Sequence, residues 1–321
     1  MAPASPLADR TSLALLRNAA LLALVLAALT YPLERRKAAP ATRSAQAAGW
    51  AFLVPPASVH AASKRHAELF ALVVAGVWIA SVPVVLVTQA YEYWGPWGYL
   101  LYCGSCASLY LVLPYVRPAD VDRTTPWHAR YITKANLWIG IFGFIGNYWY
   151  THYFYRVLRA KYTFDAHRLN DVPISMFLMT HAYFMFYHVL SNFAIRYVHV
   201  HYVPTAARFA FSCALVAVMA YVTAVMEAVT IAAFPYYSFE DRHSALVVGS
   251  AFYGIYFLAS FPMFYSVDEP DHDASTAAQR KPVPWTLQRT AASSLAAGMA
   301  VLCGLDFARL AFTRVELFAR V

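Results

Sequence analysis

Long apolar stretches alternate along the chain with short polar segments. A helix that crosses a bilayer needs about 20 mostly apolar residues, and seven stretches after residue 67 meet that length. They are Glu68–Ala90, Trp97–Val116, Asn136–Tyr155, Val172–Ile195, Phe209–Phe234, Ala245–Ser266 and Thr290–Phe312. Backbone groups in hydrocarbon must be satisfied within the segment, and apolar residues do not alternate with a period of two, so we expect helices. The pattern predicts an all-α polytopic membrane helix bundle, with about seven core transmembrane helices plus a possible N-terminal one.

The first 62 residues differ from the rest of the chain. Their Ala/Leu run at 19–29 follows Arg10 and Arg17, as in a targeting or anchor segment, and an eighth helix is the alternative. We divide the chain into this N-terminal extension (1–62), a membrane-embedded domain (63–312) and a short C-terminal tail (313–321).

The composition supports a membrane location. The 321 residues are 60% hydrophobic and 13% charged, whereas a soluble domain carries about 25% charged residues. This excludes a soluble globular enzyme and a disordered chain, and four cysteines are too few for a disulfide-stapled secreted domain. The net charge of +8 indicates loops that face anionic lipid rather than a nucleic-acid site.

The distribution of basic residues predicts the orientation. If the seven spans alternate, most lysines and arginines lie on the side that holds the loops at 35–65, 117–134, 196–208 and 280–289. Cytoplasmic loops carry an excess of lysine and arginine, so we expect that side to be cytoplasmic.

Polar side chains inside the spans are the candidate functional residues, because ionisable groups in hydrocarbon are costly. Under the alternating topology, four spans contribute polar groups at a similar depth: Asn147, His181, Glu227 and Asp306. This predicts a buried polar cavity in the non-cytoplasmic half. Glu227 has no charged neighbour one helical turn away, so we expect it to be protonated.

These polar residues also have a structural interpretation. His181 and His188 share a helix face that Asn192 extends, and they are either catalytic or hydrogen-bonded packing histidines. Asn147 and Thr151, one turn apart, either act on a substrate or join helices.

The charged residues near the span ends have simpler alternatives. Asp306 is three residues before Arg309 and can pair with it. Glu68 lies at a span end, where a solvated or helix-terminal role is expected.

The fourth, fifth and sixth spans are rich in aromatic residues, among them Tyr183, Tyr221 and Tyr256. These rings either pack against lipid and core or form a wall for a flat apolar ligand, where their faces would stabilise a cation. Cys103 and Cys106 form a lone C-x-x-C pair, and no H-E-x-x-H spacing is present, so we predict no metal site.

Several long strings resemble one family, in order along the chain. They are SKRHAELF (Ser63–Phe70), KANLWIGIFGFIGNYWYTHYFYRVLRAKYTF (Lys134–Phe164), NDVPISMFLMTHAYFMFYHVLSN (Asn170–Asn192), FPYYSFEDR (Phe234–Arg242) and FYGIYFLASFPMFYSVDE (Phe252–Glu269). The similarity runs from about Ser63 to Leu310. The family is cycloeucalenol cycloisomerase, the cyclopropyl sterol isomerase of plant-type sterol synthesis.

The resemblance implies an activity. Family members open the 9β,19-cyclopropane ring of cyclopropyl sterols, so that cycloeucalenol becomes obtusifoliol with a Δ8 double bond. The resemblance implies an intramolecular isomerisation without a cofactor, on a membrane-embedded sterol, by a multi-pass protein of the endoplasmic reticulum membrane.

Ring opening needs an acid that protonates C19 and a base that removes the C8 proton. We predict Glu227 as the acid, because a carboxyl in low dielectric stays protonated at neutral pH. His181, with His188 as second choice, would accept or relay the C8 proton, and Asn147 would hold the acid or a water. The predicted substrate-binding residues are Tyr183, Tyr221, Thr151, Asn192 and Tyr256. We expect the partner of the sterol hydroxyl in the loop Tyr162–Asp171 or the loop Phe239–Arg242.

Two other function classes fit the same features. A proton-coupled or lipid transporter would use the intramembrane glutamate and histidines as a relay, although the chain lacks the internal repeat of many transporters. A non-catalytic sterol-binding membrane protein is the second alternative.

Overall fold

The computed structural model describes residues 6–34, 53–54, 58–150, 153–157, 159–273 and 283–312. Long helices occupy most of this part of the chain. They are α1 (Pro6–Glu34), α2 (Val59–Thr88), α3 (Pro96–Leu111), α4 (Tyr131–Trp149), α5 (Ile174–His201), α6 (Ala206–Ala233), α7 (Ser250–Tyr265) and α8 (Leu287–Phe312). The predicted all-α bundle is confirmed, and α2 to α8 follow the seven apolar stretches in order.

Five of the described helical stretches are long and apolar enough to cross a membrane. They are Arg10–Thr30, Val59–Thr88, Ala206–Thr230, Arg242–Tyr265 and Leu287–Ala311. The chain is therefore a multi-pass membrane protein. Helix α3 has 16 residues and spans about 24 Å, less than the roughly 30 Å of a hydrocarbon core. The count of seven core spans stays a prediction.

Short elements connect the long helices. Single turns of helix lie at Leu113–Val116, Asp120–Arg123 and Arg242–Ser244, 3₁₀ turns lie at Ala90–Tyr93 and Trp127–Ala129, and π-helical turns lie at Tyr153–Val157 and Ala245–Gly249. Strand β1 (Ala160–Tyr162) pairs antiparallel with β4 (Tyr237–Phe239), with Tyr162 opposite Tyr237. Strand β2 (Arg168–Leu169) pairs antiparallel with β3 (Val172–Pro173). The β1–β4 pair joins the segment after α4 to the segment after α6.

The core lies where α4, α5 and α7 meet. Trp138, Phe142, Phe257 and Phe261 are almost completely buried there. Helix α5 also contacts α2, α3 and α6, so it is the central helix of the bundle. The polar residues along α5 are consequently held inside the protein rather than in lipid.

Helix α1 belongs to the predicted N-terminal extension and packs against α6. The Asn18 side-chain amide donates to the Tyr221 hydroxyl over 2.9 Å, and Thr11 Oγ1 lies 2.8 Å from His243 Nδ1. The described part of the extension therefore contacts the bundle directly. The division of the chain at residue 62 stays a prediction.

An ion network fixes one end of the bundle. Arg196 of α5 donates to both Glu68 carboxylate oxygens over 2.9 Å and to Glu269 over 2.6 Å. Lys64 is 2.7 Å from Glu269, and a second buried pair, between Lys134 and Asp268, is 2.6 Å long. The positive and negative charges cancel, so the network is electrically neutral. It links α2, α4, α5 and the segment after α7.

The network corrects the expectation for Glu68, which is fully buried rather than solvated. Its carboxylate is satisfied by Arg196 and by the Asn192 amide, which donates over 2.9 Å. Burial by itself would raise the pKa of Glu269, but Arg196 and Lys64 outweigh it and hold the pKa of that carboxyl well below its usual range.

Candidate active site

A cavity of about 190 Å³ lies between α4, α5, α6 and α7, at the end of the bundle opposite the ion network. The β1–β4 pair contributes Tyr162, Tyr237 and Phe239 to its wall. Its described polar and aromatic lining includes Asn147, Tyr150, Tyr153, Tyr162, Thr180, Tyr183, Glu227, Tyr237, Ser250, Tyr253 and Tyr256. The site is therefore an aromatic chamber, and tyrosines make up most of its polar lining.

Two π-helical turns shape this chamber. Tyr153 lies in the first, and its hydroxyl donates to the carbonyl of Gly249 in the second over 2.5 Å. The Tyr150 hydroxyl donates to the carbonyl of Gly298 in α8 over 2.8 Å. Wide turns of this kind occur often at functional sites. Here they bring the end of α4 against the start of α7.

Glu227 of α6 is the one carboxyl among the described lining residues. Tyr253 of α7 lines the same cavity, and its side chain interacts with this carboxyl. One carboxyl oxygen, Oε2, is buried and has no hydrogen-bond partner in the described part of the chain. The described lining also contains no lysine, arginine or histidine, so no basic side chain at the cavity wall neutralises Glu227.

Asn147 lines the cavity and also joins two helices. Its amide donates to the Gly143 carbonyl of α4 over 2.8 Å, and its Oδ1 accepts from Thr180 of α5 over 3.4 Å. A Cβ atom at Gly143 would meet the Thr180 methyl at 3.4 Å. The small residue at Gly143 therefore lets α4 approach α5 closely.

The tyrosines predicted to bind substrate divide into two groups. Tyr183 and Tyr256 line the cavity. The centroid of the Tyr256 ring is 4.4 Å from that of Tyr150 and 4.8 Å from that of Tyr253, and both pairs pack edge to face. Tyr221 is outside the described lining, because its hydroxyl faces Asn18 of α1.

Neither His181 nor His188 is among the described residues that line the cavity. His181 Nε2 is hydrogen-bonded to Asn136 Oδ1 over 3.0 Å. His188 Nδ1 is 2.6 Å from the Phe184 carbonyl, and its Nε2 is 2.8 Å from Ser260 Oγ. Both rings thus have the partners expected of packing histidines, and the proton-accepting role stays a prediction.

The other polar candidates are Asn192, Asp306 and Thr151. Asn192 belongs to the ion network, and Thr151 lies outside the described residues. Asp306 pairs with Arg309 of its own helix over 2.9 Å, which confirms the simpler alternative. Of the four residues predicted at one depth, Asn147 and Glu227 reach the cavity and His181 and Asp306 do not. Spacing along a helix fixes depth but not the face that a side chain occupies.

A curated protein, cycloeucalenol cycloisomerase of Arabidopsis thaliana, is similar to this chain. The two are 39% identical over 251 residues, which make up 77% of this chain and 86% of that protein. The chain belongs to the cycloeucalenol cycloisomerase family. It is an enzyme of the isomerase class. No protein-family model matches the chain, and no solved structure matches it.

In this member of the cycloeucalenol cycloisomerase family, sequence reasoning missed Ser250 and two hydrogen-bonding tyrosines of the cavity, Tyr150 and Tyr153. Tyr253 was visible only as one ring among many in the aromatic string of the sixth span. Its position in the same cavity as Glu227 depends on how α6 packs on α7. No local signal in the sequence gives that pairing.

The arrangement suits proton donation to a weakly basic carbon. A carboxyl without a basic neighbour keeps its proton in an apolar chamber, and surrounding ring faces favour a positive charge that develops nearby. An isomerase of the cycloeucalenol cycloisomerase family can use both properties in one step.

Proposed function

We propose that this protein opens the 9β,19-cyclopropane ring of cyclopropyl sterols and converts cycloeucalenol to obtusifoliol, in sterol biosynthesis at the endoplasmic reticulum membrane. The proposal rests on the surroundings of Glu227. Among the described residues, one oxygen of its carboxyl is buried without a hydrogen-bond partner, in a chamber walled by tyrosines. The name of the Arabidopsis relative supplies the substrate class.

In the first step Glu227 is the general acid. Its proton moves to C19 while the C9–C19 bond breaks, and the electron pair of that bond forms the new C19–H bond. Positive charge develops at C9. A cyclopropane is a very weak base, so the acid must be neutral and close, which fits a carboxyl with no cation at the described cavity wall.

In the second step a base removes the C8 proton, and the C8–H electron pair forms the C8=C9 double bond. We assign this step to the Glu227 carboxylate left by the first step, because no histidine lines the described cavity. The carboxyl is thereby restored, and the reaction consumes no proton overall. The alternative in which His181 or His188 accepts the proton needs movement of a side chain that already has partners.

The tyrosines then act on the cation between the two steps. Tyr183, Tyr253 and Tyr256 line the same chamber as Glu227. Aromatic faces attract a positive charge by their quadrupole, most strongly where water is absent. We assign Asn147 a positioning role at the wall formed by α4 and α5, where it bonds Thr180.

Sterol profiling of cells tests the proposal. The chain is expressed in a strain blocked at cyclopropane opening, with an empty vector as the control. We expect the cyclopropyl sterol to fall and a Δ8 sterol to accumulate. A transporter or a sterol-binding protein would leave the sterol profile unchanged, and that result would overturn the proposal.

A further inference from the structure

One neutral polar side chain of the cavity has no use in the proton transfers. Ser250 is the first residue of α7, lines the cavity and is 1% exposed. Its Oγ has no hydrogen-bond partner among the described residues. A hydroxyl buried in this way destabilises the fold unless something supplies the missing hydrogen bond.

Several other polar groups of the wall already have partners. The Tyr150 and Tyr153 hydroxyls donate to backbone carbonyls, and Thr180 donates to Asn147. In the described lining, the buried side-chain oxygens without a partner are Glu227 Oε2 and Ser250 Oγ. These two buried oxygens, one acidic and one neutral, lack a hydrogen bond that a ligand could supply.

A cyclopropyl sterol has a matching pair of groups. It carries one hydroxyl on ring A, and its cyclopropane is fused to the C9–C10 bond of ring B, where C10 is shared with ring A, so both belong to the same half of the molecule. Ser250 precedes Tyr253 by three residues and therefore lies on the same helix face. Tyr253 lines the cavity together with Glu227 and interacts with its carboxyl, so Ser250 and the acid belong to the same chamber.

We propose that Ser250 Oγ hydrogen-bonds the sterol hydroxyl and so positions the cyclopropane against Glu227, an inference that rests on the proposed function. A serine hydroxyl both donates and accepts, and it rotates to suit its partner. Ser250 is a positioning residue in this scheme, because it holds the substrate and transfers no proton to the ring.

The loops expected to bind this hydroxyl use their polar groups internally. The Arg168 guanidinium donates to the carbonyls of Tyr162, Phe164 and Asp171. Asp241 accepts from the backbone N–H groups of His243 and Ser244. These contacts favour Ser250 over either loop.

Sterol binding to the purified full chain in lipid nanodiscs tests the inference. The probes are cycloeucalenol and its 3-deoxy analogue, and the variants are wild type, Ser250→Ala and the control Ser105→Ala. Ser105 is exposed on α3 and bonds the Leu101 carbonyl of its own helix. We expect wild type and Ser105→Ala to bind the 3-hydroxy sterol about 10-fold more tightly than the 3-deoxy sterol. Ser250→Ala should bind the two sterols with similar Kd values.

The ratio of the two Kd values is taken within each variant, so differences in folding yield cancel. If Ser250→Ala keeps the wild-type ratio, or if wild type does not distinguish the sterols, the inference is overturned. Turnover provides a second readout: Ser250→Ala should raise KM for cycloeucalenol about 10-fold and leave kcat nearly unchanged.

The same experiment separates the inference from the proposed function. A wild-type protein that prefers the 3-hydroxy sterol but forms no Δ8 sterol would contradict the proposed function. The ratio for Ser250→Ala would still decide the role of the serine.

Discussion

Four carboxyl groups of the helix bundle illustrate two distinct surroundings. Glu68, Asp268 and Glu269 each lie within ion-pair distance of a lysine or arginine, whereas Glu227 has no cation in the described cavity lining. A paired carboxylate stays ionised and stabilises packing, while an unpaired carboxyl in an apolar site keeps its proton. Only the second kind can protonate a hydrocarbon at neutral pH.

His188 tests whether a histidine takes part in the proton transfers. Its ring bonds Ser260 and the Phe184 carbonyl, so His188→Leu leaves buried polar groups unpaired. We expect the free energy of unfolding to fall by about 1–3 kcal/mol, with kcat of the folded fraction nearly unchanged. Thermal unfolding and turnover of the same sample measure both effects.

His201→Leu is the matched control for this variant, because His201 bonds the carbonyl four residues earlier on the same helix, outside the core. A fall in kcat of about 10²–10⁴-fold for His188→Leu, with an unchanged Tm, would instead identify this histidine as the general base.

At the scale of single residues, the sequence gives candidates but not their partners. Glu227, Asn147, Tyr183 and Tyr256 were predictable as polar or aromatic residues of apolar spans, and they do line the cavity. Ser250 was not predictable, because a serine in an apolar span normally bonds its own helix. Its lack of a partner appears only after α7 is packed.

At the scale of the helices, the ion network links helices at a distance from the cavity that contains Glu227. Arg196 and Thr180 are sixteen residues apart on α5, about 24 Å along the axis at 1.5 Å per residue. Arg196 ties α5 to α2 through Glu68 and to the segment after α7 through Glu269. Together with the Lys134–Asp268 pair, the network therefore holds α4, α5 and the end of α7 at the ends that lie opposite the cavity.

Removing the central arginine should destabilise the bundle without changing the chemistry. Arg196→Met leaves two buried carboxylates without their main partner, which costs about 3–5 kcal/mol. Arg159→Met is the matched control, because Arg159 forms an exposed pair with Glu240 worth about 1 kcal/mol or less. Thermal unfolding in detergent should show a large drop in Tm for the first variant only. Equal Tm values for the two variants would show that the network contributes no stability.

The order of the helices was predictable from hydropathy, but the residues at which the helices begin and end were harder to predict. The fourth apolar stretch was predicted to end at Ile195, but α5 continues to His201. The added turns carry Arg196, which is buried and paired and so does not need solvent. The sixth stretch was predicted to begin at Ala245, where a π-helical turn precedes α7. The ion pairs of Arg196 account for the first of these boundaries.

For the whole molecule, polar groups are concentrated at two ends of an apolar bundle. One end contains the neutral ion network and the other contains the cavity with Glu227. Lys64, Lys134 and Arg196 contributed to the charge excess that predicts a cytoplasmic face, yet each is buried against a carboxylate. The orientation in the membrane stays a prediction, because part of that excess is neutralised inside the protein.

The central claim is that Glu227 delivers the proton that opens the ring. Its most direct test is the rate of Δ8 sterol formation from cycloeucalenol by purified Glu227→Gln in lipid nanodiscs, with Glu240→Gln as the exposed control. If Glu227 is the acid, we expect Glu227→Gln to lose about 10²–10⁴-fold in kcat. Its Tm and its sterol binding should match those of wild type. The control variant should retain the wild-type rate. A rate of ring opening by Glu227→Gln within a few-fold of the wild-type rate would show that Glu227 does not deliver the proton.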